Sequence, residues 1–276
     1  MEAMVNGIPV HYAEHGTGTP VLALHGGNVD HREIMGALEP LFAARPGYRR
    51  LYPDLPGMGR TPAPETIDST DAVLDTLLGL VDTVIGTETF LVVGHSFGGY
   101  LARAIANRRP GQVAGLALIC SLLAEQGGGE ELPEHVVLHA AGDLDVDGAL
   151  EPGMAAEFRD YLVVQTPETL RRFQETVAPG VAIADQVVLE RMAARWRLST
   201  APEEGPPSTS PTLILAGHQD ATVGYAGVWR LLEHYPRATF AVLDRAGHGL
   251  VHEQVGLVTA LMAEWLDRVR EDAAGA

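Results

Sequence analysis

The sequence contains no lysine: all 19 of its basic residues are arginine. Set against 36 acidic residues, this leaves a net charge of −17. A surface that acidic repels phosphate backbones and anionic lipid headgroups, which argues against nucleic acid and membrane surfaces as partners. Cysteine is nearly absent too. Cys120 stands alone, so no internal disulfide can form. Its apolar setting, Leu116-Ala117-Leu118-Ile119-Cys120, points to a buried, inert thiol. No apolar run approaches the ~20 residues needed to span a bilayer. The opening Met1-Glu2-Ala3-Met4 has no basic stretch followed by an apolar one, as a secretory leader would. The expectation is a soluble, cytoplasmic protein. Glycine is plentiful, yet Gly57-Met58-Gly59 lacks the third glycine of a dinucleotide loop, and no cofactor is expected. Nothing in the sequence sets an oligomeric state.

What is present fits a single core-forming domain with room for an insertion: 276 residues, 46% hydrophobic and 20% charged. Short apolar runs alternate with longer amphipathic stretches. Runs at 21–24, 90–93, 113–119, 213–215 and 240–243 each end in Gly, His, Asp, Ser or Cys. That is the pattern of parallel strands buried on both faces with polar groups at their carboxyl ends. Between them, Asp68 or Ser69 caps a helix whose apolar stripe runs Val73, Leu74, Leu77, Val81, Val84 and Ile85, ended by Gly86. A second stripe, Val255, Val258, Leu261, Met262, Trp265, Leu266 and Val269, predicts a final helix. Asn6-Gly7 between short apolar stretches predicts a hairpin turn. The class is α/β with a mostly parallel sheet.

Residues 122–208 break the alternation. They carry helical patterns but no convincing buried strand, between Gly127-Gly128-Gly129 and Glu203-Glu204-Gly205-Pro206-Pro207. They also hold 16 acidic and 6 basic residues, more than half of the net charge. The expected organisation is a core of 1–121 and 209–276 with 122–208 inserted as a helical lid.

The sharpest chemical feature is Gly94-His95-Ser96-Phe97-Gly98-Gly99, placed between a strand pattern and a helical one. A serine nucleophile must be held at a tight strand-to-helix turn, and glycines flank it because a Cβ there would meet neighbouring backbone. A serine hydroxyl is weak without a base. His248, in Ala246-Gly247-His248-Gly249 between the last strand and the last helix, is the candidate, with His252 as competitor. The orienting acid is expected at the end of an earlier strand, where Asp220 follows Gly217-His218-Gln219; Asp244 is the other nearby carboxylate. The oxyanion needs backbone N–H donors. Gly27, in His25-Gly26-Gly27-Asn28, and Phe97, just after the serine, are assigned to that role, and His25 to a structural one.

These segments, with Pro53-Asp54-Leu55-Pro56-Gly57-Met58-Gly59, make the chain similar over nearly its whole length to the α/β-hydrolase superfamily. The order Ser96, Asp220, His248 matches the family order. The resemblance implies an eight-stranded, mostly parallel sheet, a helical lid after the sixth strand, and a structural loop at 53–59. A serine nucleophile argues against the dehalogenases and epoxide hydrolases of this fold, which resemble it but use aspartate. Asn28-Val29 stands where prolyl-aminopeptidase relatives carry Pro-Gly. A small to medium uncharged ester or lactone is the expected substrate, with carbon–carbon bond hydrolysis second and a lyase or ligand-binding role third. Asn28, Leu122, Leu123, Phe158, Tyr161 and Trp196, with Phe173, are candidates to line its pocket. Two segments hint at metals. Asp143-Leu144-Asp145-Val146-Asp147-Gly148 begins like a calcium loop but has Met154 at its twelfth position. His135 and His139 are spaced to share a helix face but lack a His-Glu-x-x-His pattern. No metal is expected.

Overall fold

The computed structural model describes residues 1–123 and 132–275. The expected joint at Gly127-Gly128-Gly129 lies outside them. Asn6 and Gly7 both take positive φ, 50° and 83°, the turn geometry that suits two twisted strands. They join β1 (Glu2–Val5) to β2 (Ile8–His15), with Val5 opposite Ile8. The chain continues through β3 (Thr19–Leu24), α1 (His31–Ala43), β4 (Tyr48–Pro53), α2 (Thr70–Leu80), β5 (Phe90–His95), α3 (Phe97–Arg108) and β6 (Val113–Ile119). An insertion follows, with β7 (His139–Ala140), α4 (Val146–Ala149), α5 (Pro152–Tyr161), β8 (Val164–Gln165), α6 (Pro167–Arg172), α7 (Ala178–Val181) and α8 (Gln186–Ala193). The core resumes with β9 (Thr212–Gly217), β10 (Ala238–Leu243), α9 (Leu250–Glu253) and α10 (Val255–Gly275).

The main sheet has eight strands in the order β1-β2-β4-β3-β5-β6-β9-β10. β2 alone runs against the rest, so the sheet is mostly parallel, as the resemblance implied. Side chains alternate between two cores. Leu22, Leu24, Val92, Leu116 and Leu118 face α2 and α3. Val21, Ala23, Leu91, Val93, Ala117 and Ile119 face α1 and α10, where Ile34, Leu38, Met262 and Trp265 cover them. Both faces are dry, which is why these strands read as unbroken apolar runs.

Three elements depart from the sequence expectation. β4 has Arg49 and Arg50 in mid-strand, which hides its apolar pattern; Glu14 pairs with the first at 3.0 Å and Glu39 with the second at 2.7 Å. Ser69 caps α2, but the helix widens into a π turn at Val81–Ile85 before Gly86 stops it at φ 69°. The insertion holds a two-strand ladder, β7 with β8, too short to leave a periodicity. Part of the insertion has its own core of Val146, Phe158, Leu162, Leu170, Phe173 and Val177, joined to Val29 of the main body. α8 instead buries Val188 and Met192 in the main core.

Candidate active site

Ser96 occupies the turn between β5 and α3 at φ 53°, ψ −118°, a strained conformation for a residue with a side chain. Two glycines make the turn sterically possible. A Cβ on Gly94 would lie 2.2 Å from the Gly98 carbonyl oxygen, and one on Gly98 would lie 2.4 Å and 2.5 Å from the carbonyl oxygens of Leu24 and His25. All of these are backbone atoms that no rotamer change can move. Gly98→Ala is therefore expected to lower Tm by on the order of 5–10 °C, read by thermal melting, because the turn must open to admit a methyl group. An unchanged melt would show that the turn is more pliant than these contacts imply.

The turn aims Ser96 at His248. The His248 Nε2 lies 2.9 Å from the Ser96 Oγ, and its Nδ1 lies 2.9 Å from the Asp220 Oδ2. Asp220 follows β9, and His248 follows β10, so three strand ends converge. Ser96 and His248 are each 9% exposed and Asp220 is fully buried. An ionised carboxylate only accepts, so Nδ1 carries the proton and Nε2 presents its lone pair to the serine hydroxyl. Burial alone would push the Asp220 carboxyl up. The attraction of His248, its hydrogen bond, and the N–H groups of Val223 and Thr222 outweigh that, and the net shift is downward.

The competing residues fall elsewhere. His252 is buried in α9, and its Nε2 has no hydrogen-bond partner among the described residues; burial pushes it down to about 4. Asp244 is exposed and accepts from the Gln219 side chain at 2.9 Å. His25 is structural: Leu55 N–H donates to its Nε2 at 3.0 Å, and its Nδ1 is 2.7 Å from the Gly26 carbonyl. Burial pushes the Cys120 thiol well above its ordinary range, in keeping with an inert group.

Gly27 and Phe97 are neighbours across the site: a Cβ on Gly27 would sit 3.8 Å from the Phe97 Cβ. Asn28 takes positive φ, 62°, and its Oδ1 accepts from Gln186 at 2.9 Å. Leu122 donates its N–H to the Ser96 carbonyl at 3.1 Å. Tyr161 stands edge-on to His248, with ring centroids 6.1 Å apart. The other pocket candidates lie differently. Phe158 and Phe173 are fully buried against each other inside the insertion, so neither has surface to offer a ligand. Leu123 is packed into the main core, and Trp196 packs beside Tyr100 at 6.3 Å.

The metal hints resolve into ordinary structure. Asp145 caps α4 through the Gly148 N–H, and Asp147 pairs with Arg159 at 2.8 Å. His135 and His139 share no helix; His139 is an exposed strand residue. His11, His31 and Asp54 do converge at metal-like spacing. The Asp54 oxygens are already taken by His31 N–H and Nδ1 and by His11 Nδ1 and Arg60 N–H, all within 3.0 Å. That carboxylate pins β2, α1 and the loop after β4 together.

Sequence reasoning missed a buried pair under the site. Glu33, on α1, is 3.0 Å from the His95 Nδ1, and His95 Nε2 is 3.0 Å from the His248 carbonyl oxygen. Burial opposes the charge on Glu33, but His95 prevails and holds its carboxyl down at about 2, while His95 is raised in turn. The signal was a carboxylate inside the apolar stripe of α1, next to Ile34, Ala37 and Leu38.

A parallel sheet with a strained serine turn at its centre, and a histidine and a carboxylate brought to it from later strand ends, defines the architecture of an α/β hydrolase. The alpha/beta hydrolase family matches residues 21–260, from β3 into α10, and the chain belongs to that family. It is 25% identical to the AB hydrolase superfamily protein YfhM of Bacillus subtilis (strain 168), over 95% of each chain. It is 24% identical to the 2-hydroxymuconate semialdehyde hydrolase of Pseudomonas sp. (strain CF600), over 96% of this chain and 93% of that one. Its structure resembles that of an alpha/beta superfamily hydrolase from Oenococcus oeni PSU-1, with a TM-score of 0.89 at 26% identity, covering 98% of this chain and 99% of that one. No helix among the described residues is long and apolar enough to cross a membrane.

Proposed function

We propose that the protein is a serine hydrolase that cleaves an ester or lactone bond of a small to medium uncharged substrate through an acyl-enzyme. The observation that carries this reading is the unbroken chain Ser96 Oγ–His248–Asp220, with both links at 2.9 Å. His248 Nε2 takes the Ser96 proton as Oγ attacks the substrate carbonyl carbon. The oxyanion is met by the N–H groups of Gly27 and Phe97 and by the N-terminus of α3, which favours negative charge. The His248 imidazolium, steadied by Asp220, protonates the leaving oxygen. Water, deprotonated by the same Nε2, then attacks the acyl carbon; the acid leaves and Ser96 regains its proton. No step calls for a cofactor or metal.

In this reading residues 122–208 are the lid, substrate lies between lid and sheet, and Asn28, Leu122 and Tyr161 border it. A single buried thiol with no disulfide suits the cytoplasm, where the reading places the enzyme. A second reading, carbon–carbon bond hydrolysis, is favoured by the likeness to a 2-hydroxymuconate semialdehyde hydrolase. The test is a series of p-nitrophenyl esters of increasing acyl length. Efficient, Ser96-dependent turnover with a length optimum is the expected outcome. No turnover by folded protein across the series overturns the ester reading and leaves carbon–carbon bond hydrolysis, a lyase reaction or a ligand-binding role.

A further inference from the structure

Glu253 closes α9, and the mechanism above does not use it. Its carboxylate gathers three backbone N–H groups from two distant parts of the chain. Oε2 accepts from Gly247 at 2.7 Å, while Oε1 accepts from Val163 at 2.6 Å and Val164 at 3.0 Å. Gly247 immediately precedes His248. Val163 and Val164 lead into β8, just after Tyr161, whose ring faces His248. The two segments also touch directly: a Cβ on Gly247 would lie 3.1 Å from the Val163 Cγ1. One side chain therefore fastens the insertion to the loop that carries the base.

We propose that Glu253 is a positioning residue: a clasp through which the lid holds the His248 loop in register with Ser96. The proposal rests on the serine-hydrolase reading. Its logic is that of acceptor counting. Three donors converge on two oxygens, and the ionised carboxylate is the form that accepts strongly on both. A proton on either oxygen turns it into a hydroxyl, a much weaker acceptor, and loosens the clasp on that side. Glutamine has the same defect, since its amide nitrogen would face an N–H; Glu253→Gln is thus a fixed imitation of the protonated state.

The surroundings place the change within reach of ordinary pH. Burial pushes the Glu253 carboxyl up, against the pull of its three N–H partners, to about 7. Asp220 adds to the rise, and the Tyr161 hydroxyl and Cys120 thiol nearby are both held neutral. Glu168, Arg172 and His252 line the cavity on the other side. The sign for stability follows. The folded value lies above the ordinary 4.5, so the folded state binds more protons between the two, and stability falls as pH rises through that window. An ionised Glu253 is therefore a stability cost.

The experiment compares wild type with Glu253→Gln across about pH 5.5–9 on a p-nitrophenyl ester. The expected ratio of kcat values is about 10–100 at high pH, from a base held out of line, with KM much less affected. The ratio should shrink toward unity as pH falls, with a midpoint near 7. A ratio independent of pH is the mark of a merely structural residue and overturns the proposal, as does a ratio of one throughout. Amide hydrogen exchange at Gly247, Val163 and Val164 gives a readout that needs no turnover. Corrected for intrinsic rates, wild-type protection should rise through pH 7 and that of Glu253→Gln should not. If the exchange behaves so while no ester is turned over, the ester reading falls and the clasp stands. A flat wild-type exchange profile overturns the clasp even if the variant does not fold.

Discussion

Replacing Ser96 by alanine is expected to lower kcat on an activated ester by ~10⁴–10⁶-fold while leaving Tm within about 2 °C of wild type. The two halves of that result have separate physical causes. Activity falls because, among the described residues, Oγ is the only atom 2.9 Å from the His248 Nε2 that can be both deprotonated and acylated. The residual rate is what oxyanion donors and binding provide without a nucleophile. Stability holds because alanine keeps the Cβ that already lives at φ 53°, so the turn is neither strained further nor relaxed. The lost Ser96–His248 hydrogen bond leaves a nearly buried imidazole nitrogen unpaired, a modest cost at 9% exposure. Turnover in the purified variant within tenfold of wild type would remove Ser96 from the mechanism.

The convergence of Ser96, His248 and Asp220 was legible because each sits where the fold makes the local sequence distinctive. Ser96 needs Gly94 and Gly98 for the close approach of backbone to backbone, and those residues mark it in the sequence. Asp220 follows β9, which is buried throughout and so reads as an unbroken apolar run, and His248 follows the edge strand β10, which is only partly buried but still apolar from Phe240 to Leu243. What stayed hidden depends on partners that are distant in sequence. β4 is masked by Arg49 and Arg50, which are tolerable only because Glu14 and Glu39 arrive from β2 and α1. Glu33 looks like an interruption of α1 until folding brings His95 to it. Among the described residues Glu253 accepts only from backbone N–H groups, which leave no residue-type signature at Gly247, Val163 or Val164. Residue type also misleads inside the insertion. Phe158 and Phe173 have the character of pocket walls, yet a helical segment of this size needs a core of its own, and they supply it.

Asp220→Asn is expected to lower kcat by about 10⁴-fold with the fold retained. The argument turns on which oxygen is already engaged. Asp220 Oδ1 accepts the N–H groups of Thr222 and Val223, both at 2.9 Å, and Oδ2 alone faces the His248 Nδ1. Asparagine can keep the first two bonds only by leaving its oxygen there and turning its NH₂ toward His248. An NH₂ donates, so Nδ1 must become the acceptor and the ring proton must move to Nε2. That nitrogen then points an N–H at Ser96 and cannot take its proton. The opposite amide orientation would set an NH₂ against two backbone N–H groups, at a cost of about 1–3 kcal/mol for each buried donor left unpaired. Either way the imidazolium of the transition state loses its buried counter-charge. The measurement is kcat, paired with histidine ¹⁵N resonances that report which ring nitrogen carries the proton. The expected pair is a large loss of rate and a proton on Nε2. A rate near wild type with the proton still on Nδ1 would mean that another group orients His248. The exposed Asp244, committed to Gln219 at 2.9 Å, can reach that position only if its loop rearranges.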